Sequence, residues 1–232
     1  MPELPEVECV RLSLERLVVG RRVEAVRVSR PGVITGRRDD AALLVGSKVS
    51  GVIRHGKQLA IVGERYDSGG GNSGGRCVCV HLGMSGQLCI VGGKQGRGTT
   101  KRRTSRVPGS SADQTLPAHT HVLWRLDGGL GLRFTDPRRF GGLWTFDDEG
   151  KLLAKRWSRL GPDARQITAS QLSDGLSKTR RPLKAALLDQ HLVAGLGNIY
   201  VDELLFNAKL HPLTPACELD ACLLYTSPSP RD

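Results

Sequence analysis

The sequence predicts an α+β protein in two domains, on three observations. Short β-branched runs recur from Val23 to Phe146. After Asp147 the apolar residues recur at helical spacing and few strand signals remain. Strands followed by helices, not alternating with them, mark an α+β chain or two separate domains. With 232 residues the chain is long enough for one large domain or two small ones. The boundary is expected near residues 148 to 160.

In chain order, Val7, Val10, Leu14 and Leu17 repeat at helical spacing, and Gly20 can stop that helix. Val23–Val28, Lys48–Ile53 and Leu59–Val62 read as strands with turns between them. Asp67 to Gly75 is a Gly/Ser loop. Cys77–Leu82 and Gly86–Val91 read as a strand pair around Gly83-Met84-Ser85-Gly86. Gly92 to Pro117 reads as a long basic loop, open to phosphate contact or to simple solvation. Strands resume at His121–Leu126, Leu130–Phe134 and Gly142–Phe146. Helices are expected at Ser170–Ser177, Leu183–His191 and Asn198–Leu210. No internal repeat is visible. The tail Cys222–Asp232, CLLYTSPSPRD, has no periodicity, can be written as read-through of a sequencing adapter, and is set aside as non-native. The natural protein is expected to continue beyond Ala221.

Lys plus Arg number 34 against 23 Asp plus Glu, a net charge of +11 that points to a polyanionic partner, nucleic acid before membrane. Aromatic residues at 4% argue against recognition by rows of stacked rings. No run approaches the ~18 apolar residues of a membrane helix, and MPELPEVE lacks the apolar core of a signal peptide. The six cysteines form no C-x-x-C pair, so no zinc ribbon is visible, and they read as buried reduced thiols of a cytosolic protein. Cys77 and Cys79 are expected on one strand face.

Removal of Met1 would leave Pro2 with a free secondary amine, a group that titrates near ~8. Such an amine attacks a carbonyl-like carbon to give a cationic iminium. On sugar C1′ this would acidify the C2′ proton and favour strand elimination. Glu3 beside it could donate or relay a proton. Pro-Glu is also an ordinary way to start a helix. Arg54-His55-Gly56-Lys57 sits at a strand–turn–strand junction, where Lys57 could meet a phosphate, assist proton transfer, or be a solvated turn lysine. In His81-Leu82-Gly83-Met84-Ser85-Gly86 the glycines permit close approach, and Met84 is either a wedge at a loop tip or a core residue. In Asp136-Pro137-Arg138-Arg139-Phe140-Gly141-Gly142, Arg138 and Phe140 fall on one side. A cation with an aromatic on a rigid loop can replace an extruded base; a plain turn with solvated arginines is the other reading. His119-Thr120-His121 has strand alternation but no third ligand for a metal. Gly195-Leu196-Gly197-Asn198 opens a helix, where N–H groups face an anion, with Lys178, Arg180, Arg181 and Lys184 flanking it.

Together these segments resemble the formamidopyrimidine-DNA glycosylase family of bacterial repair enzymes. The matches are PELPEVE at residues 2–8, HGKQL at 55–59, HLGMSGQL at 81–88, TDPRRFGGLW at 135–144, and the stretch Leu187 to Pro212. They occur in family order. Leu4 favours this family over its sister, endonuclease VIII. The resemblance implies an N-terminal catalytic β-sandwich with flanking helices over residues 1–148. A partial helix–two-turn–helix DNA-binding domain would follow over 149–221, and the non-native tail over 222–232.

It implies a bifunctional DNA glycosylase/AP lyase of base excision repair that removes 8-oxoguanine and formamidopyrimidines and then cuts the strand by β-elimination. By resemblance, Pro2 is the Schiff-base nucleophile, Glu3 the proton donor to the sugar, and Lys57 the lysine that assists elimination. Met84, Arg138 and Phe140 match residues that fill the void left by the flipped base. His119, Arg138, Arg180, Lys184 and Asn198 match DNA-contacting positions; His81 and Glu6 sit in matching motifs, His81 grouped with the DNA contacts. The implied partner is damaged double-stranded DNA, for a monomer of the bacterial cytoplasm, nucleoid-associated, with no membrane contact.

Three departures stand out. Gln58 replaces a common Tyr, and the Gly92–Pro117 loop is expanded. The family's four-Cys zinc finger is also missing, so no cofactor is expected in this chain although zinc is expected in the intact family member. Two other readings remain: a non-catalytic DNA-binding fragment, and an endonuclease VIII-like glycosylase.

Overall fold

The computed structural model describes residues 2–66, 72–92 and 116–219. Helix α1 (Leu4–Val18) begins at Glu3, whose extended backbone makes it the N-cap, with Pro5 in the first turn. The Glu3 N–H donates to the Glu6 carboxylate at 3.0 Å and closes one side of a capping box. Leu4, Val7, Leu14 and Val18 form its buried stripe, while Leu17 stays exposed. The helix stops at Val18, just ahead of Gly20.

Among the described residues nine strands follow: β1 (Val23–Val28), β2 (Ile34–Thr35), β3 (Lys48–His55), β4 (Gln58–Tyr66), β5 (Asn72–His81), β6 (Gln87–Gly92), β7 (Thr120–Leu126), β8 (Leu130–Thr135) and β9 (Gly142–Phe146). They form a four-stranded sheet ordered β1-β7-β8-β6 and a five-stranded sheet ordered β2-β9-β5-β4-β3. Val23, Val122, Trp124, Leu132 and Phe134 from the first sheet share one core with Val49, Leu59, Ile61, Val78, Val80 and Leu143 from the second. Val7, Leu14 and Val18 join the same core. The result is a β-sandwich in which each inner face alternates with outward residues. Trp124 satisfies its indole N–H on the Leu43 carbonyl at 3.0 Å, as a buried donor must.

The expected strand pair around Gly83–Gly86 does not form. β5 pairs with β4 and β9, and β6 pairs with β8 in the other sheet. The Gly86 N–H bonds back four residues to the Leu82 carbonyl at 2.8 Å. That single helical turn carries the chain across the sandwich instead of folding it into a hairpin. The loop expected over Asp67–Gly75 is also shorter, because the β4–β5 ladder continues through Arg65↔Gly74 to Tyr66↔Asn72. Ladder bonds are backbone bonds, which Gly and Ser supply as well as any residue. Most of the expected Gly92–Pro117 loop, the Cys222–Asp232 tail, and Met1 lie outside the described residues.

The thiols divide. Cys77 and Cys79 alternate with the core residues Val78 and Val80 on β5, and both are buried. Burial pushes the Cys77 thiol up to about 12. Cys9, Cys89 and Cys217 are exposed, contrary to expectation.

The helical part contains α2 (Glu149–Lys155), α3 (Ala169–Ser177), α4 (Leu183–Leu187) and α5 (Asn198–Asn207). Thr168 and Gln171 cap α3 reciprocally, at 3.2 and 2.9 Å. Leu176, Leu183, Ala186, Leu187, Val201, Leu205 and Ala216 make a second core. α4 is shorter than the helix expected through His191. The Asp189 carboxylate accepts the His191 N–H at 2.9 Å and an Arg181 guanidinium at 2.6 Å, which turns the chain away. α5 ends at Asn207, short of Leu210, because Lys209 is left-handed. Two compact units result: residues 1–54 with 58–154, and residues 55–57 with 155 onward. No described helix is long and apolar enough to cross a membrane.

Candidate functional site

Pro2 is half-buried and stands directly ahead of α1. Glu3 is buried, and Glu6 is exposed on the first turn. One turn further, Glu8 accepts the Arg54 guanidinium at 2.6 Å and the Arg11 guanidinium at 2.9 Å. The hydrogen bond from Arg11, helped by Arg54, outweighs burial and lowers the Glu8 carboxyl to about 2. This pair ties the start of α1 to the end of β3. Sequence reasoning missed it, although Glu8 closes the PELPEVE motif and Arg54 immediately precedes HGKQL.

The turn after β3 belongs to the second compact unit. The His55 ring stacks on Trp157 at 5.8 Å, and its Nε2 meets the Gly161 carbonyl at 2.9 Å. That nitrogen therefore carries the proton and donates. The Gly56 N–H donates to buried Asp163 at 2.8 Å. A Cβ on Gly56 would lie 2.9 Å from the Ala194 Cβ, and its φ is +55°. Only glycine fits both conditions. Lys57, next in line, is 8% exposed. The solvated turn lysine is thereby overturned; a buried lysine needs partners.

The two loop motifs meet. Met84 is 46% exposed and Phe140 60% exposed, so Met84 is no core residue. The Arg138 guanidinium lies 5.8 Å from the centre of the Phe140 ring, within cation–π range. A Cβ on Gly83 would fall 2.4 Å from the Gly141 nitrogen, so the two loop backbones touch. Ser85 and Asp136, which sequence reasoning did not single out, join across that contact at 2.6 Å. The available signal was the Asp-Pro step that opens the turn. His81 is half-buried, and its Nδ1 accepts the Gly83 N–H at 3.2 Å. His119 is exposed and left-handed ahead of β7, whereas His121 is buried. The two imidazoles therefore do not form a ligand pair. A groove of about 720 Å³ beside Phe140 is lined by Arg30, Val33, Arg139 and Trp144 among others.

In the helical unit Arg180 is exposed just past α3. Lys184 is held by Asp202 at 2.6 Å, a bond that a phosphate would have to displace. Asn198 is exposed at the first position of α5 but does not cap it; Gly197 is the N-cap and offers no side chain. Gln190 braces the glycine turn, accepting the Gly195 N–H at 3.0 Å and donating to the Leu188 and Leu196 carbonyls. Among the described residues no three His, Cys, Asp or Glu side chains gather to hold a metal.

The sequence profile of the formamidopyrimidine-DNA glycosylase N-terminal domain matches residues 1–143, and that of the corresponding H2TH domain matches residues 160–224. The formamidopyrimidine-DNA glycosylase of Herpetosiphon aurantiacus is 36% identical over 226 residues, covering 95% of this chain and 72% of that protein. Its counterpart in Parafrankia sp. is 40% identical over 222 residues, covering 93% and 69%. A crystal structure of the Lactococcus lactis enzyme, bound non-covalently to DNA containing an AP site, matches with a TM-score of 0.75. It is 26% identical and covers 97% of this chain and 76% of that one. A mutant of the L. lactis protein in complex with Fapy-dG-containing DNA matches with a TM-score of 0.75 at 28% identity, covering 97% and 73%.

Proposed function

The chain belongs to the formamidopyrimidine-DNA glycosylase family of DNA repair, and from that premise we propose that it excises an oxidised purine through Pro2 and then nicks the strand. The observation that carries the proposal is the placement of half-exposed Pro2 directly ahead of buried Glu3, the residue that caps the start of α1. The related structures bound to AP-site and Fapy-dG DNA support damaged duplex DNA as the partner.

With Met1 removed, the neutral Pro2 nitrogen attacks C1′ with its lone pair. The glycosidic bond breaks, its electron pair leaves with the base, and the proton that the Pro2 nitrogen gives up on bonding to C1′ ends on the base. Glu3 gives a proton to the sugar ring oxygen as the ring opens, leaving a C1′ iminium. The iminium withdraws electrons, the C2′ proton is lost, and the C3′–O bond breaks with its electrons going to the departing phosphate. That is β-elimination, 3′ to the lesion, and Lys57 assists it. Met84, Arg138 and Phe140 occupy the space of the everted base. His81, His119, Arg180, Lys184 and Asn198 meet the DNA, chiefly its backbone, where charge and N–H groups set position more than sequence.

Borohydride reduction of the iminium on abasic duplex DNA tests this reading. The chain should be trapped covalently, Pro2→Gly should abolish trapping, and Lys57→Ala should retain it. Undiminished trapping by Pro2→Gly would remove the nucleophile from the account.

A further inference from the structure

We infer that Ser85 and Asp136 are positioning residues that fasten the Met84 and Phe140 loops into one rigid wedge; this rests on the reading of those tips as void-filling. Asp136 is fully buried beneath two exposed tips. Its four polar atoms are all engaged. The Asp136 N–H donates to the His119 carbonyl at 3.1 Å, and its carbonyl accepts His121 Nε2–H at 2.7 Å. One carboxylate oxygen accepts the Ser85 hydroxyl at 2.6 Å and the Arg138 N–H at 3.3 Å. The other accepts the Gly141 N–H at 2.7 Å. The Ser85 hydroxyl oxygen in turn accepts the Arg138 N–H at 3.2 Å.

The carboxylate thus sits at the root of the Phe140 loop, with bonds to both ends of that loop and one bond to the neighbour of Met84. Burial alone would raise its pKa, but the bonds from Ser85, Gly141, Arg138 and Arg139 reverse that and hold it below the ordinary carboxylate range. It is therefore ionised when the protein works, and charge-assisted bonds are the strong kind. Separating stacked bases costs a few kcal/mol. A wedge that yields under that load does not hold the base out. Met84 is 46% and Phe140 60% exposed, so apolar packing covers these tips only in part and the polar staple at their base supplies the rest of their stiffness.

The test uses the full 232-residue chain as wild type, Ser85→Ala, Ser85→Thr and Asp136→Asn. Single-turnover rates are measured on a duplex with 8-oxoguanine and on the same duplex with a preformed abasic site. Ser85→Ala should slow base excision about tenfold while changing abasic-site incision less than about twofold. Ser85→Thr, which keeps the hydroxyl, should restore excision. In the free protein, hydrogen exchange at the Arg138 and Gly141 amides should quicken in Ser85→Ala and Asp136→Asn, with the melting temperature of Ser85→Ala unchanged. A wild type active on both duplexes, with Ser85→Ala slowing both equally or neither, would overturn the positioning role alone. A wild type that cuts neither duplex would overturn the functional reading and the positioning role with it.

Discussion

The Glu8 carboxyl lies between two guanidinium groups, Arg11 at 2.9 Å and Arg54 at 2.6 Å, and ionises near 2 instead of 4.5. A depressed carboxyl stabilises the fold above its unfolded pKa, and that stability is lost as pH falls through the folded value. The loss should therefore run from about pH 4.5 down to about pH 2. The shift corresponds to up to about 3 kcal/mol. Denaturant melts of Glu8→Gln should show that deficit at pH 7 and a flatter pH dependence below 4.5 than wild type. Equal slopes would mean that the pair contributes nothing. This residue was not legible in the sequence, because its partner Arg54 is 46 positions away and the two meet only in the folded chain. Met84 and Phe140 were legible as candidates, since glycine-flanked apolar tips have few structural uses.

Turns, more than strands, decide where this chain's chemistry is placed. Strand runs were readable because alternation and β-branching report burial directly, and β1, β7 and β8 fall close to where they were expected. Partners were not readable. β5 and β6 are neighbours in sequence, but a single turn at Leu82–Gly86 sends them to different sheets. α4 was overextended because Leu188 and Leu192 continue a helical spacing that Asp189 interrupts. The β3–β4 turn offers an element-scale test. Gly56→Ala would put a methyl 2.9 Å from the Ala194 Cβ at a φ of +55°. It should cost roughly 1–3 kcal/mol and, by displacing the neighbouring Lys57, should slow elimination more than base release. A variant as stable and active as wild type would show that this turn tolerates movement.

At the scale of the molecule, the charge surplus of +11 was the first pointer to a nucleic acid, and family membership agrees with it. What charge alone could not show is which cations remain available. Lys184 is engaged by Asp202 and Arg181 by Asp189, both at 2.6 Å, whereas Arg180 lies exposed. Affinity for duplex DNA should fall with salt, and Arg180→Ala should reduce the log–log slope by about 0.9. Lys184→Ala should reduce it less, because its ion pair must break first; equal reductions would contradict that ordering. The proposed chemistry depends first on the proline at position 2 being the nucleophile. The most direct measurement reduces the chain on abasic DNA with borohydride, digests the complex, and locates the sugar remnant by mass spectrometry. The expected product is a peptide that begins at Pro2 and carries the remnant on its terminal nitrogen. A remnant on Lys57, or a reactive chain that still carries Met1, would contradict it.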